Sequence, residues 1–291
     1  MPLVVKNLFH VYMPNSPFEQ VALDNISMTV EDGSFTAIIG HTGSGKSTLI
    51  QHFNALLKPT SGQIFLDDID ITAKEVDLRQ VRRRIGLVFQ YPEYQLFEER
   101  IYKDIAFGPK NLQIDEFELG ERVREACDMV NLDFDEMRDR SPFEISGGQK
   151  RRVAIAGVLA MRPQILVLDE PAAGLDPRGR EEILSLIEKW HEAGTTIIMV
   201  SHSMDDVARY ADNIFVLSKG KLVLEGDRRT VFSREDLLLE IGLGLPSASI
   251  IAKELRLCGV DIAEGCFVLE EVEDCVMRAL NGSARRCGNG S

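Results

Sequence analysis

Four short runs of branched apolar residues punctuate the chain: 34–40 (SFTAIIG), 84–90 (RIGLVFQ), 165–169 (ILVLD) and 195–201 (TTIIMVS). Each is continuous rather than alternating, which suits a strand covered on both faces. Between them lie helical patterns at 46–57, 148–161 and 178–193. This alternation predicts an α/β architecture with a largely parallel sheet. The start of the chain differs: 3–12 (LVVKNLFHVY) and 22–30 (ALDNISMTV) read as alternating antiparallel strands. Residues 91–145 are polar, partly helical and without a strong strand, so they read as an inserted helical subdomain, reaching about 160 with the helix that follows. A turn at 218–221 joins two short strands, 213–217 and 222–225, and beyond about 231 the pattern is helical again. The expected division is a main domain over 1–230 and a helical extension over 231–291, whose small polar end (SARRCGNGS, 283–291) is expected to fray.

Composition narrows the class. The chain has 291 residues, 44% apolar and 27% charged, as expected of a globular protein with one large domain or two modest ones. The net charge of −13 argues against a dedicated nucleic-acid binder, which needs a basic surface. A nucleotide remains compatible, because a few N–H groups and one lysine hold a triphosphate on an acidic protein. Cysteines 127, 258, 266, 275 and 287 form no CxxC pair and read as free thiols in a reducing compartment. The longest apolar runs fall far short of the roughly 18 residues of a membrane span, and the N-terminus lacks a signal-peptide pattern. The chain is therefore expected in the cytosol, reaching a membrane only through other proteins.

Candidate chemistry begins at Gly40-His41-Thr42-Gly43-Ser44-Gly45-Lys46-Ser47, followed by Thr48. It fits G-x-x-x-x-G-K-[ST] between a strand and a helix. Glycines let successive N–H groups curl around a phosphate, Lys46 reaches the β- and γ-phosphates, and Ser47 offers a hydroxyl to Mg²⁺. A second feature is the strand 165–169, which ends in Asp169 and Glu170. Asp169 is a candidate Mg²⁺ ligand, and Glu170 is placed to orient or deprotonate a water. The alternative is a solvated strand end, but acids at the carboxyl edge of a parallel sheet sit where such proteins bind ligands. A third is Ser146-Gly147-Gly148-Gln149, a helix start with Ser146 as N-cap and two glycines that free the backbone for an anion. Read alone, it is equally a capped loop.

In this order the motifs resemble those of the ATP-binding subunits of ABC transporters. The resemblance implies a P-loop NTPase fold of that type, with ATP and Mg²⁺ as ligands. It also implies a dimer in which the SGGQ segment of one subunit covers the γ-phosphate held by its partner. Gln90 looks like the glutamine that contacts Mg²⁺ and the attacking water, Asp176 like the acid that couples the two sites, and His202 like the switch histidine at the γ-phosphate. Tyr12 is similar to the aromatic that stacks on adenine, with a packed edge-strand tyrosine as the alternative and Phe18 as a weaker substitute.

The longer segments FQYPEYQLFEERIYKDIAFGPKNL, PFEISGGQKRRVAIAGVLAM and LDEPAAGLDPRGR resemble the ATPase A components of energy-coupling factor transporters, and YMPNSPFE the second of the two A paralogues. Ile145 in place of the commoner Leu and Ala172 in place of Thr are small departures. This resemblance covers about 3–260, leaving the tail beyond about 265 without a counterpart. It implies an ATPase coupled to uptake of a vitamin or transition-metal micronutrient at the cytoplasmic face of the cell membrane. The implied partners are a second A-type subunit (a heterodimer favoured, a homodimer open), a transmembrane T component and a substrate-binding S component. Glu93, Glu98 and Glu99 are candidates to meet Arg-bearing tips of the T component, or else a solvated helix face. The competing classes are the ATPase of another ABC transporter and a soluble ABC ATPase of DNA repair or translation. The latter usually carries two cassettes, a coiled coil or a basic insert, none of which this sequence contains.

Overall fold

The computed structural model describes residues 2–287, with side chains as far as residue 280. Among the described residues, ten strands form two sheets. The first has β1 (Leu3–Tyr12), β2 (Gln20–Val30), β4 (Ser61–Leu66) and β5 (Ile69–Asp70) in the order β2-β1-β4-β5, all antiparallel. The second contains β3 (Phe35–Ile39), β6 (Ile85–Val88), β7 (Ile165–Asp169), β8 (Thr196–Val200), β9 (Asn213–Ser218) and β10 (Lys221–Gly226), in the order β10-β9-β3-β8-β7-β6. All neighbours in this sheet are parallel except the β9–β10 hairpin.

The four apolar runs are strands because both of their faces are covered. β3, β6, β7 and β8 are buried at every position. On β3, Ile38 joins the layer between the two sheets, while Ala37 and Ile39 pack the other way. The inter-sheet layer also receives Leu49, Ile50 and Phe53 of α1 (Lys46–Phe53). Helix α2 (Leu78–Arg84) precedes β6. On the opposite face of the parallel sheet, Leu166, Leu168, Ile197 and Met199 meet a cluster that includes Ile183 and Ile187 of α7 (Pro177–Glu192).

Between β6 and β7 the chain runs through α3 (Ile101–Asn111), α4 (Glu116–Met129), α5 (Phe134–Met137) and α6 (Gly147–Leu159), with no strand. One buried cation anchors this region. Arg151 of α6 is 2% exposed and forms a two-pronged ion pair with Glu93 at 2.9 and 3.0 Å. It also donates to the carbonyls of Pro171 and Ala173. Glu93 is thus half-buried and paired within the subunit, whereas Glu99 faces solvent, paired with Lys103 at 3.7 Å.

The remaining helices are α8 (Met204–Tyr210), α9 (Arg228–Phe232), α10 (Glu235–Glu240), α11 (Ser247–Leu257) and α12 (Leu269–Cys287). Helix α12 continues to Cys287, so the expected frayed end is helical up to that residue; the rest of it, 288–291, lies outside the described residues. α11 and α12 share a small core of Ala248, Ala252, Ile262, Cys266, Val272 and Cys275, and Cys127, Cys258, Cys266 and Cys275 are free thiols.

Helix α1 buries His52 almost completely. Burial pushes its pKa down to about 4, against a weaker opposite pull from the Thr48 and Lys58 carbonyls. A histidine kept neutral in the fold but free to protonate when unfolded contributes stability that is complete above pH 6.5 and is lost as pH falls to about 4. The stability advantage of the wild type over His52→Gln is expected to shrink by about 3 kcal/mol across that window, as measured by urea unfolding at a series of pH values.

Candidate functional site

The loops after β3, β8, β7 and β6 open on one edge of the sheet. The ladder levels their origins: Ile38 pairs with Val200, Val200 with Asp169, and Leu168 with Val88. The cleft along this edge has a volume of about 720 Å³. It is lined by Tyr12, Gly40, His41, Thr42, Gly43, Gly45, Lys46, Ser47, Thr48, Gln90, Asp169, Glu170 and His202, which brings together most of the residues singled out by sequence.

The loop from Gly40 to Ser47 is shaped by close backbone approach. A Cβ on Gly40 would lie 2.3 Å from the Leu217 carbonyl oxygen, and one on Gly45, at φ +103°, 2.6 Å from that of Ala22. Gly43 has open space in the same direction. Lys46 is buried and donates through Nζ to the Gly40 carbonyl at 2.6 Å and the His41 carbonyl at 3.1 Å. Burial lowers its pKa, and the charges of Glu170 and Asp169 partly restore it. Ser44 does not line the cleft: its side chain is enclosed by the loop, and its Oγ has no partner among the described residues. No side chain caps the N-terminus of α1.

Asp169 ends β7 almost fully buried. Burial raises its pKa, as does Glu170, whereas a hydrogen bond from Ser47 and the Lys46 charge lower it. Glu170 departs from the strand at φ +49°, an uncommon conformation for a non-glycine residue, and its N–H donates to the Val200 carbonyl at 3.0 Å. Its carboxylate lies between two groups: Gln90 Nε2 donates to one oxygen at 2.8 Å, and His202 Nδ1 lies 3.1 Å from the other. Three loops therefore fix one carboxylate.

Two predicted features lie outside the cleft of their own chain. Ser146 caps α6 in a reciprocal pair: its Oγ accepts from the Gln149 N–H, and Gln149 Oε1 accepts from the Ser146 N–H. Gly147 and Gly148 beside them have open space around their α-carbons. Asp176 caps α7, accepting from the Gly179 N–H at 2.7 Å. Phe18 is exposed and does not line the cleft. Conversely, Gln20, Ala22, Gly242, Leu243 and Gly244 do line it. Gln20 and Ala22 belong to β2, and Gly242 to Gly244 follow α10. None carries a chemical motif, and only the packing of the C-terminal segment onto the main sheet brings the last three there.

Fold and site define a P-loop ATPase of the ABC class. Residues 23–173 match the ABC transporter family. The chain is 53% identical to the energy-coupling factor transporter ATP-binding protein EcfA2 of Clostridium tetani, over 99% of this chain and 100% of that one. It is 54% identical to the EcfA2 of Clostridium acetobutylicum, over 98% and 100%. Among solved structures it resembles CbiO1 of Clostridium perfringens, described as part of an ABC transporter complex, with a TM-score of 0.71 and 38% identity over 89% of this chain and 98% of that one. It also resembles the ATP-binding cassette MJ0796, seen as a dimer in a post-hydrolysis state with ADP and Pi, with a TM-score of 0.68 and 29% identity over 77% and 98%. The chain belongs to the ABC transporter family and, within it, to the ATP-binding subunits of energy-coupling factor transporters. The match to the relatives runs through the C-terminal tail, the part of the chain to which the motifs assign no counterpart.

Gly45→Ala combines a disfavoured φ with a backbone clash. It is expected to lower the unfolding free energy by at least about 1 kcal/mol, seen as a fall in Tm, and to weaken nucleotide binding.

Proposed function

We propose that this chain binds ATP with Mg²⁺ in the cleft and hydrolyses it in a dimer of A-type subunits, driving uptake of a vitamin or transition-metal micronutrient through a membrane T component and a solute-selecting S component. The residues present fit a triphosphate. Gly43 leaves room on the cleft side, the first turn of α1 lacks a side-chain cap, and the Lys46 ammonium is held against the loop carbonyls of Gly40 and His41. They also fit a hard divalent cation, since the Ser47 hydroxyl and the Asp169 carboxylate are oxygen donors in contact. Gln90, whose Nε2 is engaged by Glu170, keeps its Oε1 as a further donor. Mg²⁺ held there supplies charge neutralisation at the β- and γ-phosphates.

The chain's own groups do the rest. Glu170 takes the proton of the attacking water, with its carboxylate aimed by Gln90 and His202. Lys46 balances phosphate charge, and Tyr12 provides a platform for the base. The segment from Ser146 to Gln149 lies outside its own cleft with its glycines open, which suits it to cover the nucleotide of a partner subunit. Asp176, beside that segment's pocket through Leu175 and Gly179, would relay between the two sites. The resemblance to the second of two A paralogues supports a heterodimer with a paralogous A subunit. No helix among the described residues is long and apolar enough to cross a membrane, and we place the subunit at the cytoplasmic face, held there by its partners.

The observation that carries this reading is the Glu170 carboxylate fixed between Gln90 and His202. Glu170→Gln, purified alone or with its co-expressed paralogue, is expected to lose at least about 100-fold in steady-state turnover. It should still bind ATP and, with ATP and Mg²⁺, form a stable dimer by light scattering. Hydrolysis near the wild-type rate, or no nucleotide-dependent association, would overturn the assignment.

A further inference from the structure

Behind the cleft wall, β1 and α1 bury two histidines that the hydrolysis chemistry does not use. His10 is 8% exposed and His52 1%. His52 Nδ1 lies 2.7 Å from the Thr48 carbonyl oxygen, which only accepts, so this nitrogen carries the proton. The neutral ring then has a bare Nε2, 3.3 Å from His10 Nδ1, which must donate to it. One backbone carbonyl therefore sets the tautomers of both rings.

The chain of contacts continues to the cleft. His10 and Tyr12 are two residues apart on β1 and share a face. Their rings meet edge to face at 4.7 Å and 84°. The Tyr12 hydroxyl in turn lies 3.2 Å from Thr48 Oγ1. Thr48, His52, His10 and Tyr12 thus form a closed circuit that starts and ends on the residue just after the phosphate loop. Tyr12 and Thr48 line the cleft, whereas His10 and His52 do not. The arrangement carries a cost: His10 Nε2 is buried without a hydrogen-bond partner among the described residues. An apolar side chain would fill the same space without that cost.

We infer that His10 and His52 are positioning residues for the nucleotide base, locking the Tyr12 ring to Thr48 so that base and triphosphate are gripped in register. This rests on the reading of Tyr12 as the base platform. It makes a prediction that a merely structural role does not: loss of the circuit weakens binding only of ligands that have a base.

The test compares Kd for ATP and for inorganic tripolyphosphate, which has no base, on the full chain by calorimetry with Mg²⁺. His10→Phe keeps a ring but removes the donor. It is expected to weaken ATP by about five-fold or more and to leave tripolyphosphate within about two-fold. His10→Asn, whose amide can donate from a similar place, is expected to recover most of the loss. Should His10→Phe fail to fold, His52→Gln, which drops the bond to Thr48, is expected to show the same ATP-selective loss. Equal weakening of both ligands, or of neither, would overturn the inference. Tyr12→Ala separates the two readings: if it weakens ATP and the histidine variants do not, only the inference fails; if it leaves ATP binding unchanged, the platform reading fails and the inference with it.

Discussion

The parallel ladder β3-β8-β7-β6 is the constraint on which the rest of the molecule depends. Its hydrogen bonds hold Ile38, Val200 and Asp169 level, with Val88 opposite Leu168. Groups far apart in sequence leave the sheet on one edge because of it. A slip of one residue in any strand would exchange the side chains packed on its two buried faces and move its terminal group out of reach of the others. The buried apolar runs that make these strands therefore also fix the geometry of the site.

Two kinds of tie convert that edge into a working cleft. The first is polar and local: Glu170, held at φ +49°, is gripped from both sides by Gln90 and His202. The second is buried and longer-ranged. Arg151 joins the helix that follows Ser146 to Glu93, three residues beyond Gln90, and to the carbonyls just after Glu170. Gly174 closes the same region, since a Cβ there would lie 3.2 Å from the Tyr91 ring. Removing one partner of such a desolvated pair leaves a buried charge, so this staple gives the inserted helices and the cleft little freedom to move independently.

The histidine circuit is a third tie, between the antiparallel sheet and the phosphate loop. It shows how the first sheet, which supplies no hydrolytic group, still takes part in the site: Tyr12 and His10 come from β1 and meet Thr48 and His52 of α1. The C-terminal segment takes part too, through Gly242, Leu243 and Gly244 at the rim of the cleft.

Much of the site was legible in the sequence because its chemistry is local. A glycine loop needs its glycines within a few residues of one another, a phosphate lysine must start the following helix, and the acids must end a buried strand. The α/β class followed from the same runs for the same reason. What the sequence left open depends on long-range packing. Nothing near Glu93 in the chain reveals Arg151, 58 residues away, as its partner. Gln20, Ala22 and the Gly242–Gly244 stretch carried no chemical signal at all. Sequence by itself fixed the residue types and the strands that bear them, because local spacing and burial period are properties of the chain. Only the tertiary structure decided which strand ends stand side by side, which charges are paired and which backbone lines the cleft, because those contacts join segments that the sequence does not order by distance.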